Sequence, residues 1–513
     1  MRFSGTRFTG QHFTEWRESN PGRVVNKSSV EKESRLPHRG DSMEDAARDN
    51  EEVDGLETIY ANSAVRERIF DYLGGDEGRQ PTAYFLARCD GRLPTEIEQI
   101  PIESWETALE VPGDLARSLA DRESLIVHLD IEYVNFDSPE ESFLDPWRIF
   151  KLQEPVVTVV EEELSRCGIR PLHLLTGQGH HFVWRIPLDS EPCRRLAEEL
   201  NPISDDNSES LSSPHPFKDR AFGGLGLLME FLAHRIKLLS APHSAIPVDL
   251  TAVEVGQLKS GRREMISIDV SEYGDPLAER IIRIPFTHYE KPWLSGMVER
   301  LDLHFLVPKF VTLPLHEIDV AQALVLRQTS TEVIALARRS VVRIPNQERG
   351  MSRLIEKYCS SPLREFHEHY YEVAPVDNVS GTEPYGNDTA DTLPPCIATI
   401  LTFPNDLLLK PACLQLVTRF LLANGWHPRH VAKLVESKFS NPAFNWLPSY
   451  WEKYSAQMRA DFYVRLFSGQ IMTHLDGGID FNCVSTQEKH YCPGAPCQNN
   501  LSNHREKLHS DNP

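Results

Sequence analysis

Two carboxylates stand two residues apart in the segment SLIVHLDIEYV (124–134): Asp130 and Glu132. On a strand, residues i and i+2 share a face. Two carboxylates on one face of an otherwise apolar strand repel each other unless something cationic lies between them. A divalent metal is the economical partner, and oxygen-only ligands favour Mg2+ or Mn2+. The plainer alternative puts both at a strand end in water, or pairs one with an arginine. A third carboxylate would complete a site. Asp249 in AIPVDLTAVEV (245–255) and Asp269 in EMISIDVSEY (264–273) both offer one, with strand-end or turn carboxylates as the ordinary alternative. Asp269 is better placed, because ERIIRIPFTHYEK follows it. There Arg280, Arg283, Thr287 and Lys291 offer a cationic surface for phosphates, unless they are simply solvated surface charge. Arginine grips phosphate bidentately, and lysine acts as a point charge.

A second group lies in LLTGQGHHFVW, where Gly177 and Gly179 stand beside Thr176 and two histidines. Glycine lets the backbone approach a ligand closely, and a histidine can donate to a phosphate oxygen. A lone G-x-G is also what a plain hairpin turn looks like. His180 and His181 are adjacent, so on a strand they face opposite ways and at most one meets the carboxylates. A third group is made of cysteines. The chain has nine: Cys89, Cys167, Cys193, Cys359, Cys396, Cys413, Cys483, Cys492 and Cys497. The last three crowd together, which suggests a metal site more than a disulfide framework. Cys413 falls on an apolar helix face and reads as core.

These residues need elements to hold them. TAYFLARC (82–89), SLIVHLDIEYV and ERIIRIPF (279–286) read as strands, as do 245–255 and 264–273. KLQEPVVTVVEEELSRCG (151–168) reads as a helix with Pro155 near its first turn and Gly168 as its stop. PLHLLTGQGHHFVWRIPL (171–188) has a hairpin pattern. Helices are expected over 56–75 and 222–240, through most of 300–372, and as a pair over LLLKPACLQLVTRFLLANGW and PRHVAKLVESKF. The pattern is an α+β unit followed by a mostly helical one. The expected divisions are a disordered segment 1–55, a catalytic unit 56–300, a helical connector 301–376, a linker 377–392 and a cysteine-containing helical unit 393–513.

The chain's 513 residues are enough for several domains and a real core without disulfides. No apolar run approaches the ~20 residues needed to span a bilayer. The start, MRFSGTRFTGQHFTEW, has no apolar stretch of the secretory kind, so a cytoplasmic protein without a membrane partner is expected. With 75 acidic and 54 basic residues the net charge is −21. That charge argues against nucleic acid only if it is uniform; a local basic groove reverses the argument.

Taken in order, HLDIEY, TGQGHH and SIDV followed by ERIIRIPFTHYEK resemble the archaeo-eukaryotic primase superfamily, the primase small subunits and prim-pol enzymes. That family carries D-x-D or D-x-E on a strand, then S-G-x-G-x-H, then a third strand with an aspartate and a trailing arginine-rich segment. The resemblance spans roughly residues 80–300. It implies a primase-type domain with an RRM-like antiparallel sheet, metal ligands at Asp130, Glu132 and Asp269, and a phosphate contact at His181. Thr176, Gly177, Gly179, Arg280, Arg283 and Lys291 would bind the nucleotide. Thr176 stands where serine is usual and Glu132 where a second aspartate is usual, and the choice between Asp249 and Asp269 stays open. Further on, PPCI, LVTRFLLANGW, FNC, HYC and APC resemble the iron–sulfur domain of the primase large subunit. The matching cysteines are Cys396, Cys483, Cys492 and Cys497, whose thiolates suit a [4Fe–4S] cluster or Zn2+.

The resemblance implies a DNA primase or primase-polymerase that uses Mg2+ or Mn2+, nucleoside triphosphates and a single-stranded DNA template, with replication or repair proteins as further partners. The alternatives are an inactive nucleic-acid-binding protein of the same fold, or another metal-dependent phosphotransferase or nuclease.

Overall fold

The computed structural model describes residues 55–89, 99–201, 216–373, 393–402, 407–440, 455–494 and 497–510. The polar N-terminal segment 1–54, the loop 202–215 and the linker 377–392 lie outside the described residues. The chain is a mixture of helices with two sheets.

The strands are β1 (Phe85–Arg88), β2 (Gln99–Pro101), β3 (Leu115–Ser118), β4 (Ser124–Asn135), β5 (Leu172–Leu175), β6 (Gly179–Pro187), β7 (Val248–Leu250), β8 (Glu264–Asp269), β9 (Ile281–Arg283) and β10 (Leu313–Pro314). The larger sheet has the order β10-β5-β6-β4-β8-β7, and the smaller one β2-β1-β3-β9. Every pairing is antiparallel except β7 with β8. Helix α1 (Pro146–Arg166) joins β4 to β5, and helix α2 (Pro216–Ser240) lies between β6 and β8. The large sheet therefore follows a β-α-β-β-α-β path whose central neighbours are β5-β6-β4-β8. Both helices pack against β4 and against each other.

The alternation along β4 explains why this sheet can carry both a core and a site. Val127, Leu129, Ile131 and Tyr133 are fully buried, while His128, Asp130 and Glu132 between them line a cavity. One continuous apolar core runs from Leu56 to Leu508, so the C-terminal helices bury their apolar faces in the same core as the sheets. A smaller cluster around Phe143, Tyr289, Val298 and Phe310 flanks the cavity. Among the described residues no helix is long and apolar enough to cross a membrane.

Some expected boundaries move. The helix expected from 151 begins at Pro146, because Asp145 caps it by accepting the Arg148 N–H at 3.2 Å. Pro155 therefore lies inside the helix instead of in its first turn. The strand expected over 245–255 is confined to β7, and Thr251 just beyond it has φ 60°, which an extended strand does not permit. The mostly helical stretch 300–372 contains β10, which pairs with β5. The expected C-terminal helix pair is present as Pro411–Leu422 and Pro428–Phe439, separated by Gly425 in the left-handed region (φ 81°).

Buried charge ties distant helices together. Glu230 on α2 is fully buried and accepts from Arg465 Nε at 2.9 Å. Arg465 lies on a helix, Ala456–Met472, far along the chain. His367, from the helix Pro362–Glu372, meets the other Glu230 oxygen at 3.1 Å. Burial alone would raise the Glu230 carboxyl, but Arg465 and His367 outweigh it and bring the pKa down to about 2. Glu230→Ala would leave a buried guanidinium without its anion. Its urea midpoint should fall by an amount equivalent to about 3–5 kcal/mol. The pair's contribution should be fully present above the usual glutamate range and fade as pH falls toward about 2, which denaturation at pH 7 and pH 3 would measure.

Candidate active site

The antiparallel register of β6, β4 and β8 gathers the sequence-predicted residues. Asp130 stands opposite His181 on β6 and opposite Asp269 on β8. Glu132 stands opposite Gly179 on one side and Ser267 on the other. Directly opposed residues point to the same face, so Asp130, Glu132, Asp269 and His181 form one wall of a cavity of about 180 Å³. The small sheet and the segment after it supply the facing wall: Arg280, Arg283 and Lys291 all line the same cavity. An acidic wall thus faces a basic one.

The charges on the acidic wall press against each other. Burial, aided by Asp269 and Glu272, pushes the Asp130 carboxyl up to about 7 even though His128 opposes the shift. Burial and Asp130 raise Glu132, and burial and Glu132 raise Asp269. Asp269 Oδ1 accepts the Ser271 N–H at 2.8 Å. Asp130 Oδ2 lies 3.5 Å from His181 Nε2, while its buried Oδ1 has no hydrogen-bond partner. Burial and the neighbouring His128 hold His181 well below the usual imidazole range, so its ring is neutral. On the basic wall, Arg283 pairs with Asp114 and lies 4.3 Å from the Tyr289 ring. Arg280 pairs with Asp275 at 2.9 Å, and Lys291 donates to Gln178 Oε1 at 2.5 Å. Burial works against the Lys291 charge, but Tyr289 and Glu132 outweigh it and raise its pKa.

The residues fit a hard divalent cation in two respects: the donors are carboxylates, and one buried Asp130 oxygen is orphaned. As they stand, no three His, Cys, Asp or Glu side chains among the described residues are gathered so as to hold a metal. Desolvated like charges turn apart, and a cation between them would draw them together.

Other expected residues serve different ends. Asp249, the competing third carboxylate, lies on edge strand β7 and accepts from Lys237 Nζ at 2.7 Å; it does not line the cavity. His180 faces away from the acidic wall, with His173 Nε2 2.8 Å from its Nδ1 and its ring edge-on to Phe150. Thr176 lines the cavity, and its hydroxyl closes the turn by donating to the Gly179 carbonyl at 3.1 Å. Neither glycine lines the cavity, because the protein itself fills the space beside each. A Cβ on Gly179 would stand 1.8 Å from the Ile131 carbonyl, and one on Gly177 would stand 2.3 Å from the Tyr289 ring. Thr287 is fully buried and donates to the Ile284 carbonyl at 2.7 Å.

Sequence reasoning passed over His128 and Glu272, which also line the cavity. His128 Nδ1 lies 2.8 Å from Glu272 Oε2. The signal for His128 was its place two residues before Asp130; Glu272 had none, because it sits in a short turn of helix after β8.

The cysteine group is partly assembled. Cys396 is buried at the start of the helix Pro395–Thr402. Burial, with Cys492 and Cys483 adding to it, pushes its thiol up to about 12. Cys483 Sγ accepts the Leu501 N–H at 3.5 Å and lies 3.9 Å from Asn500 Oδ1. Cys497 is exposed and bonds locally to the Asn499 carbonyl at 3.5 Å. Soft thiols suit iron or zinc, but among the described residues no three of these thiols are gathered to hold one. Cys413 is fully buried core.

The raised Asp130 pKa fixes a sign. In chelator, a folded-state pKa near 7 against the usual 3.8 means that stability falls as pH climbs between those values. Asp130→Asn removes that penalty. It should stabilise the fold at pH 8 by on the order of a few kcal/mol, seen as a higher melting temperature, and change it little at pH 4. Melting curves in EDTA across that range would measure it.

Against this geometry, comparison with protein families, curated proteins and solved structures finds no match to the chain.

Proposed function

We propose that the chain is a template-directed nucleotidyltransferase of the primase or primase-polymerase kind. The observation that carries this reading is the opposition of Asp130, Glu132 and Asp269 to Arg280, Arg283 and Lys291 across one cavity. A triphosphate needs both walls: cationic side chains for its oxygens and carboxylates to hold its counter-ions. The β-α-β-β-α-β path of the large sheet supports the RRM-like expectation.

Asp130, Glu132 and Asp269 would hold Mg2+ or Mn2+. When bound, such ions activate the attacking 3′-hydroxyl and stabilise the leaving pyrophosphate. The chain's own groups do the rest. Lys291 and Arg283, already charged and aimed into the cavity, neutralise phosphate oxygens as charge builds. The neutral His181 ring offers an N–H to a phosphate oxygen without adding a charge beside Asp130. The Tyr289 ring, 4.3 Å from the Arg283 guanidinium carbon, helps hold that group at the cavity. Cys396, Cys483 and Cys492, with Cys497, would hold the [4Fe–4S] cluster, with Zn2+ as the alternative, and that region would help bind the template.

Primer synthesis on single-stranded DNA with nucleoside triphosphates and Mg2+ or Mn2+ tests the reading. Wild type should make new phosphodiester bonds, and Asp130→Ala or Asp269→Ala should lose activity on the order of a hundredfold or more. Strand degradation in place of synthesis would assign a nuclease; binding without chemistry would assign an inactive relative of the fold. Template binding should be weak, dependent on the divalent ion and strongly weakened by salt. Anaerobically purified protein should be brown with iron and sulfide, and a colourless protein with stoichiometric zinc would replace the cluster.

A further inference from the structure

One buried group in the cavity has no task in that reaction. His128 precedes Asp130 by two residues on β4, so the two share a face. It is 4% exposed and lines the cavity. Its place is fixed from two directions: the Tyr273 hydroxyl donates to the His128 carbonyl at 2.7 Å, and Glu272 Oε2 lies 2.8 Å from Nδ1. With a carboxylate on Nδ1 the ring keeps a proton there, and Nε2 is the atom left for a ligand, where a bound cation would replace any proton. That Nε2 is buried and has no hydrogen-bond partner. Native structures rarely leave such an atom unsatisfied without a reason. A carboxylate behind one imidazole nitrogen is also the arrangement that aims the other at a metal ion. His181 differs, because its far nitrogen, Nδ1, has no partner to orient the ring.

We infer that His128, oriented by Glu272, is a nitrogen ligand to the divalent cation held beside Asp130, and that this ligand biases the site toward Mn2+ over Mg2+. The inference rests on the acidic wall being a metal site, as proposed above. Mg2+ demands oxygen ligands and sheds water reluctantly, whereas an imidazole nitrogen suits first-row transition ions. A site made only of Asp130, Glu132 and Asp269 carries no such bias; one nitrogen among the oxygens introduces it. The role is chemical as well as structural, since His128 meets His181 edge-on at 4.5 Å between ring centroids and keeps that second ring close to Asp130.

The test is Mn2+ binding by the full chain, followed by calorimetry and by electron spin-echo envelope modulation, which detects a nitrogen bound to Mn2+. Wild type should show nitrogen coupling that His128→Gln loses and His181→Gln keeps. Mn2+ affinity should fall about tenfold in His128→Gln and in Glu272→Gln. Mg2+ affinity should stay within roughly twofold in both. Should His128→Gln fail to fold, nitrogen coupling in both wild type and His181→Gln still assigns the ligand to His128. Mn2+ bound with no nitrogen coupling, or coupling that survives His128→Gln, overturns the inference and leaves the acidic wall standing. Wild type that binds no Mn2+ overturns both.

Discussion

Carboxylate repulsion across two neighbouring strands is the constraint around which the rest of the molecule is arranged. Asp130 and Asp269 are direct partners in an antiparallel ladder, and Glu132 is two residues further on. Isolated buried charges of one sign are costly, so the fold must hold them there by force from elsewhere. That force is the register. A slip of one residue in β4 would swap His128, Asp130 and Glu132 for Val127, Leu129, Ile131 and Tyr133. The fully buried apolar set cannot face a polar cavity, so burying it fixes the acidic set on the opposite side. The hydrophobic effect acting on one face of β4 thus sustains an electrostatically unfavourable arrangement on the other.

The compensating charge comes from the chain's next strand in a different sheet. Asp269 ends β8 in the large sheet, and Arg283 ends β9 in the small one. The connection between them carries Glu272, Asp275 and Arg280, so it crosses the cavity rim as a charged strap. Arg283 reaches the cavity while pairing with Asp114, and Arg280 does so while pairing with Asp275. Each arginine therefore has a carboxylate partner outside the acidic wall: Asp114 for Arg283, and Asp275, shared with Arg459, for Arg280. The two walls stay distinct, and a ligand with both anionic oxygens and bound cations can enter between them. Had Arg283 paired directly with Glu132 instead of Asp114, its guanidinium would have less to offer a ligand in the cavity.

How much of this was legible depended on whether the signal was local. The D-x-E spacing is a period-two signal within one strand, and the structure puts both residues on one face. The hairpin at 171–188 was legible for the same reason. The choice between Asp249 and Asp269 was not, because it depends on Lys237, a residue on a different element that claims Asp249. The glycines were legible as residues but not in their use. Gly179 lets the hairpin lie against the β4 backbone, a close approach between two strands of the protein. Glu272 was invisible because its relation to His128 spans the whole β4-to-β8 connection. The helix start at Pro146 was missed because its determinant, Asp145, lies outside the apolar repeat that marks the helix body.

Net charge, which seemed at first to argue against a phosphate-bearing partner, takes a different meaning beside this geometry. The −21 is a property of the whole surface and sets long-range repulsion toward polyanions. Recognition of a phosphate is settled within a few ångströms, where Arg280, Arg283 and Lys291 share one wall. Salt screens the first effect more than the second, because a partly buried charge such as that of Arg283 is screened less than an exposed one. Moderate salt should therefore reduce the general repulsion, while higher salt erodes contacts made by exposed backbone phosphates. Under the proposed function the acidic wall would add a further dependence of its own: bound divalent cations would reverse its sign where a triphosphate would approach. On the proposed reading, the metal would then be as much a condition for binding the phosphates as for transferring them.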